Sequence, residues 1–191
     1  VFYLDPVWNI ASGAVVSFVC RTVAVQAGPE GLSPVEPGSI VFLAPEVRHS
    51  ITAAADSTLE WLPQDSIFFA GARASLDSRF TLAPGARLLA WETLCLGRPV
   101  MHERFDHGAL DSLLHIVLPD EVGLHERLRL EGGHLDKLGG HPLLATFCAA
   151  PADQAVLEQV RPLLDELGNP AGATLLGSLL VIRVLDHDNQ H

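Results

Sequence analysis

A chain of 191 residues, 48% of them hydrophobic, can bury one sizeable core and is too apolar to be disordered. Its 12 Lys+Arg against 23 Asp+Glu give a formal charge of −11, which disfavours nucleic acid and anionic membranes as partners and favours cations and basic surfaces. It contains no run of about 18 apolar residues and no basic segment ahead of a hydrophobic one, so neither a membrane span nor a signal peptide is expected.

Short apolar runs separated by Pro and Gly turns give the spacing typical of antiparallel β structure. Strands are predicted near 14–26, 39–44, 57–62, 66–70, 74–82, 86–96, 99–106, 110–118, 122–130, 172–176 and 179–185. The turn signals are Gly28-Pro29, Pro37-Gly38, Pro84-Gly85 and Gly97-Arg98-Pro99. A faint echo between VEPGSIVFLA and LAPGARLLAW, each a Pro-Gly turn feeding an apolar strand, hints at stacked β-turn-β units. Helix is expected only in the last third. PADQAVLEQVRPLLDELGN has Asp153 as N-cap, apolar residues at 156, 157, 160, 163, 164 and 167, and a stop at Gly168-Asn169-Pro170. Pro162 inside it predicts a kink or a break into two short helices. A second short helix is expected around 142–149. No composition shift divides the chain, so residues 1–191 are read as a single domain.

The strand readings draw attention to three acids. Alternate residues of a strand share a face, so Glu92 in LLAWETLCLG lies with Leu88, Ala90, Leu94 and Leu96 and points inward. In GLHERLRL, Glu126 lies with Leu124, Leu128 and Leu130, while His125, Arg127 and Arg129 take the other face. Glu103 shares a face with Met101 and Phe105. Burying an ionised carboxylate costs on the order of several kcal/mol unless it is paired or hydrogen-bonded. Two explanations stay open: structural pairing, with Arg98, Arg104 or Arg127 or with backbone groups, and a water-filled passage whose carboxylates offer stepping points to a hard or borderline cation.

Several other chemistries are disfavoured. In MHERFDHG, extended geometry puts Glu103 and His107 roughly 13 Å apart and His102 on the opposite face, so they cannot close on one ion. The tail HDNQH reads as a frayed terminus. There is no phosphate-binding glycine loop, no Gly-x-Ser-x-Gly elbow and no His-Glu-x-x-His. Cys20, Cys95 and Cys148 are odd in number, far apart and in apolar contexts, the pattern of reduced, buried thiols in a cytoplasmic protein. Cys95 reads as a small core residue and not a nucleophile, and Trp61 and Trp91 as core aromatics.

At these residues the sequence resembles a known family. LEWLPQDSIFFAGA at 59–72, LLAWETLCLGRPV at 88–100, ERFDHG at 103–108, ERLRL at 126–130 and AGATLL at 171–176 resemble the urease accessory protein D family (UreD, called UreH in some bacteria), in order and without strained spacing from about residue 57 to residue 189. The Trp-acid-x-x-Cys-Leu-Gly-Arg-Pro string, which here contains Trp91, Cys95, Gly97, Arg98 and Pro99, is highly specific to that family, and Arg127 belongs to a second matching stretch. The resemblance implies a mainly β fold of stacked antiparallel or β-helix-like sheets with a few helices near the C-terminal end. It implies no enzymatic activity and no tightly bound cofactor. The implied role is a scaffold that binds accessory protein F, through it the GTPase accessory protein G, and the urease apoprotein, so that nickel in transit reaches the urease active site. An internal nickel route proposed for the family would place Glu92 and Glu126 on its path, with Glu103 a weaker candidate. Arg98 is expected to fix a turn or pair with a carboxylate.

Residues 1–56 diverge from the family. DPVWNIASGA is the best gapless match to a His-Pro-Pro-Gly-Gly-Ile-Val-Gly-Gly-Asp stretch; it keeps Ile10 and Gly13 but has Ala14 where the family has an acid. A later Pro-Gly-Ala motif with a following Lys is not recognisable around Leu43 to His49. The alternatives to a nickel-delivering scaffold are a metal-dependent β-rich enzyme and a truncated or degenerate family member that acts as a binding scaffold only.

Overall fold

A computed structural model describes residues 46–63 and 65–187 and, before them, the strand segments at 9–10, 14–21, 27–28 and 31–32. The expected strand at 39–44, the Pro37-Gly38 turn and the first half of the Pro-Gly echo lie outside the described residues. In chain order the strands are β1 (Asn9–Ile10), β2 (Ala14–Arg21), β3 (Ala27–Gly28), β4 (Gly31–Leu32), β5 (Glu46–Ala53), β6 (Thr58–Trp61), β7 (Ser66–Phe68), β8 (Arg73–Leu82), β9 (Arg87–Arg98), β10 (Glu103–Arg104), β11 (Ala109–Val117), β12 (Leu124–Glu131) and β13 (Leu143–Ala150). Helix α1 (Gln154–Asp165) and strands β14 (Ala171–Leu176) and β15 (Leu179–Asp186) follow.

These strands form two main sheets. The first runs β1-β6-β9-β13-β15-β14, with β7 and β10 also paired to β9; the second runs β12-β11-β8-β5-β2, and β3 pairs with β4 apart from both. The fold is mainly β, as expected, but the sheets are mixed. β5, β8 and β11 run parallel, as do β6 and β7 with β9. Parallel neighbours need a crossover, and here the crossover is itself a strand. From β5 the chain passes through β6 in the first sheet before returning as β8, then through β9 before returning as β11, a coil of stacked β units.

Apolar side chains from both sheets meet between them. One cluster holds Ile51, Phe80 and Ile116 of the second sheet against Leu59, Trp61, Leu88 and Val181 of the first. A second holds Leu76, Leu110 and Leu130 against Leu94, Leu96 and Leu144. Trp61 is a core aromatic; its ring lies edge-on to Phe80 at 6.0 Å.

Four local expectations are corrected. Residues 142–149 form strand β13, not a helix: LLATFCAA is a short apolar run whose periodicity suits either element, and pairing with both β9 and β15 settles it as a central strand. The expected strand 99–106 is a 3-10 turn at Pro99–Met101 followed by the two-residue β10, which leaves Met101 exposed while Phe105 is buried. Trp91 is 43% exposed and donates its indole N–H to Pro63 O at 2.7 Å, because among the described residues no layer covers that outer face of β9. Of the kink or break expected at Pro162, the break into two helices is absent: α1 runs from its Asp153 cap, whose carboxylate accepts from Val156 N at 3.0 Å, to Asp165.

Gly97 is held at φ +89°, and a Cβ there would sit 2.5 Å from Glu103 O and 3.0 Å from Phe105 N. The Leu-Gly-Arg-Pro stretch therefore needs glycine so that β10 can fold back onto β9. Gly97→Ala is expected to destabilise the protein by about 2–3 kcal/mol or more through left-handed strain plus backbone clash, read as a lower urea midpoint at unchanged slope.

Candidate functional site

The two hydrophobic clusters are separated by a transverse polar layer. Along each core strand the inward positions are apolar, then polar, then apolar again. On β9 the sequence is Leu88, Ala90, Glu92, Leu94 and Leu96; on β8 it is Leu76, Ser78 and Phe80; on β11 it is Leu110, Ser112 and Ile116, with Leu114 between the last two. His49 occupies the corresponding place on β5, Glu126 on β12, Thr146 on β13 and Arg183 on β15. Strand register aligns them except on β11, where Leu114 stands in the row and Ser112 lies one step along, beside Leu76 and opposite Leu128. Glu92 is opposite Thr146, and Thr146 opposite Arg183. In the facing sheet His49 is beside Ser78, Ser78 beside Leu114, and Leu114 opposite Glu126.

Contacts across the layer tie the sheets together. Ser78 Oγ donates to Glu92 Oε1 at 3.1 Å, and His49 Nδ1 lies 3.1 Å from the same hydroxyl. Since Ser78 has one proton to give, His49 must donate from Nδ1 when Ser78 donates to Glu92. Ser112 supplies a further hydrogen bond to Glu92. The residue as a whole keeps some exposure, but its carboxyl group is surrounded by protein. Beside it is a cavity of about 10 Å³ lined in part by Trp61, Thr146 and Cys148, room for about one water.

Glu92 makes no ion pair among the described residues. Burial pushes its pKa up from 4.5 to about 7, against the opposing pull of the hydrogen bonds from Ser78 and Ser112. Burial also lowers His49 from 6.5 to about 4, although Asp77 works the other way. The Cys148 thiol is pushed up to about 12, first by burial and then by Glu92, so it is no thiolate at neutral pH.

The other acids named by the sequence are neutralised differently. Glu126 does face the other sheet, where it forms an ion pair with Arg183; the two side chains remain 40% and 38% exposed. Glu103 lies outside the layer. It pairs with the guanidinium of Arg98, which stacks 4.8 Å over the Phe69 ring, and accepts from Ala70 N at 3.0 Å. Arg98 thus fastens the turn after β9 to a carboxylate. Arg127 points to the opposite face of β12 from Glu126 and holds Asp111 through two hydrogen bonds of 2.7 and 2.6 Å. Cys95 is buried, with its thiol directed to Gly97 O. His102, Glu103 and His107 do not converge, and among the described residues no three His, Cys, Asp or Glu side chains are grouped to hold a metal ion.

A larger open cleft of about 660 Å³ lies on the outer face of the first sheet. It is lined by Trp91, Ile67, Phe147, Ile182 and Val184. Its walls are mainly apolar, with Asp65 and Thr93 among them, and it shares Trp91 and Thr146 with the small cavity beside Glu92.

Residues 43–191 match the family model described as UreD urease accessory protein. The chain belongs to the UreD family. Proteins bearing the name "Urease accessory protein UreD" are 95% identical over 138 residues in Pseudomonas putida, covering 72% of this chain and 50% of the relative. In Citrobacter koseri the identity is 49% over 144 residues, 75% of this chain and 50% of the relative. In Klebsiella pneumoniae it is 48% over 143 residues, 75% and 52%. This UreD-family chain spans about half the length of the curated relatives it matches. Among its described residues no helix is long and apolar enough to cross a membrane.

Within this UreD-family chain, inspection of single acids found Glu92 and Glu126 but missed His49, Ser78, Ser112, Thr146 and Arg183. The signal was present: each is the lone polar residue at an inward position of an apolar alternation.

The raised pKa of Glu92 has a signed consequence. Between about pH 4.5 and 7 the folded state keeps a proton that the unfolded chain has released, so this group's stabilisation is complete below that window and declines as pH rises through it. His49 acts oppositely: its stabilisation is complete above pH 6.5 and is lost as pH falls through about 4. Glu92→Gln removes only the first effect. Relative to the parent the variant should gain on the order of 3 kcal/mol between pH 4.5 and about 8, measured by urea denaturation of both proteins at several pH values. A difference that does not change with pH would show that Glu92 does not titrate in this window.

Proposed function

We propose that this chain serves urease maturation as a non-catalytic scaffold. It would hold accessory protein F, through F the GTPase G, and the urease apoprotein, with the polar layer as the place where nickel passes between the sheets. One observation carries the reading: Glu92 is an enclosed carboxyl without a cationic partner among the described residues, in a layer that interrupts an otherwise apolar core. A protonated carboxyl can exchange its proton for a divalent ion and take the proton back when the ion leaves. That exchange keeps binding weak, as transfer requires. The Ser78, Ser112 and Thr146 hydroxyls are hard oxygen donors nearby, suited to a brief contact and not to a stable site.

Glu126 would act differently. Its charge already belongs to Arg183, so an incoming cation must displace a guanidinium. This makes the pair a gate to the layer rather than a resting place, and Glu103, committed to Arg98, has no part in the path.

The small free volume beside Glu92 favours a second reading, in which the layer is purely structural and nickel travels elsewhere in the assembly. Co-expression with accessory proteins F and G and the urease apoprotein separates the two. Glu92→Ala and Glu126→Ala chains should co-elute with F in size-exclusion chromatography yet lower urease activation several-fold. Undiminished activation in both variants removes the passage and leaves the scaffold. Failure of the parent chain to co-elute with F removes the scaffold as well.

A further inference from the structure

The outer face of the second sheet carries a feature unrelated to the polar layer. His115 on β11 and His125 on β12 are directly opposite in register, with ring centroids 4.8 Å apart and planes inclined at 75°. Both point away from the core; His125 is exposed and His115 half-buried. Two imidazoles bound to one ion at metal–nitrogen distances of about 2.0–2.1 Å place their ring centroids roughly 4.5–5.5 Å apart. The observed separation falls within that span, and the hydrogen-bonded strands keep the two residues opposite, so that rotation about the side-chain torsions is what turns both ring nitrogens to one ion.

We propose that His115 and His125 form a two-imidazole site for a borderline divalent transition-metal ion on the outer face of the second sheet. Nearby charge permits it. Arg79, beside His115 in register, is held by Asp77 through hydrogen bonds of 2.9 and 3.1 Å, and Arg127, next along the face from His125, is held by Asp111. Burial first, then His125 and Arg79, lower the His115 pKa, so its imidazole offers a lone pair at neutral pH. Imidazole selects Cu²⁺, Ni²⁺ and Zn²⁺ over Mg²⁺ and Ca²⁺, with copper the tightest. Two protein ligands leave the remaining positions of a four-coordinate ion to water or to a donor from another molecule, so the site is open and exchangeable.

Calorimetric titration of the full chain with Ni²⁺ and with Cu²⁺ tests the site without urease or any partner. The protein used carries His187→Gln and His191→Gln, so that tail imidazoles do not contribute. In that background His115→Gln and His125→Gln should each abolish about one binding equivalent, or weaken it by roughly tenfold or more, at an unchanged urea midpoint in the absence of metal. Equal stoichiometry and affinity in the parent and both variants would overturn the site. Should either variant fold poorly, Cu²⁺ at one equivalent on the parent decides: paramagnetic resonance showing two imidazole nitrogens supports the site, and a spectrum without them refutes it.

Discussion

The structure depends on satisfying polar groups in the middle of a β-sandwich. A hydroxyl or carboxyl left without partners in such an interior costs on the order of 1–3 kcal/mol, and an uncompensated charge costs more. Here the polar positions of β5, β8, β9, β12, β13 and β15 fall in one layer, with Ser112 of β11 one step along, and they serve one another: Ser78 and Ser112 serve Glu92, His49 serves Ser78, and Arg183 serves Glu126. The arrangement also fixes register. Moving β8, β9 or β13 by two residues would keep its inward face inward but take Ser78, Glu92 or Thr146 out of the polar row and set it among apolar side chains, so the layer selects one alignment of these strands where apolar packing alone would tolerate several.

Much of this order was legible from alternation. β8, β9, β11, β12, β14 and β15 are bounded by Gly, Pro or acidic turns and announce themselves, and pleat geometry alone sends Glu92 and Glu126 to the inner face. β5 was missed because Arg48, His49, Ser50 and Thr52 dilute its apolar character, although Val47, Ile51 and Ala53 mark an inward face. β13 was misread because LLATFCAA has no polar outer face: it lies between β9 and β15, where neighbours on both sides remove the alternation that distinguishes a strand from a helix. The fate of Glu103 was legible only as one of several pairings, with Arg98, Arg104 or Arg127 all open to it. Its partner Arg98 is five residues away, across a turn that only the Gly97 backbone conformation makes possible.

The two inward acids show that identical sequence logic can end in different electrostatics. Glu92 sits on a central strand where its partners among the described residues are hydroxyls, so burial raises its pKa and it holds a proton near neutrality. Glu126 sits on β12, which is the edge of its sheet among the described residues, and there Arg183 reaches it from the facing sheet. Periodicity identifies an inward acid. Only the position of its strand within the sheet, and what the facing sheet presents, determines whether that acid is neutral or ion-paired.

Edge position also relates the two metal-linked proposals. His125 and Glu126 are consecutive, yet the pleat sends one outward and the other between the sheets, and His115 is likewise next to inward-facing Leu114. A hydrogen-bonded sheet has no opening through which an ion could move from one face to the other, so an ion held by the histidine pair would not drop directly into the polar layer. It would have to travel around the β12 edge, where the half-exposed Glu126–Arg183 pair stands. The histidine site and the layer are therefore independent in structure. Each can fail its own test without deciding the other, and a loss of activation in Glu126→Ala with metal binding at the histidines intact would place the effect at that edge.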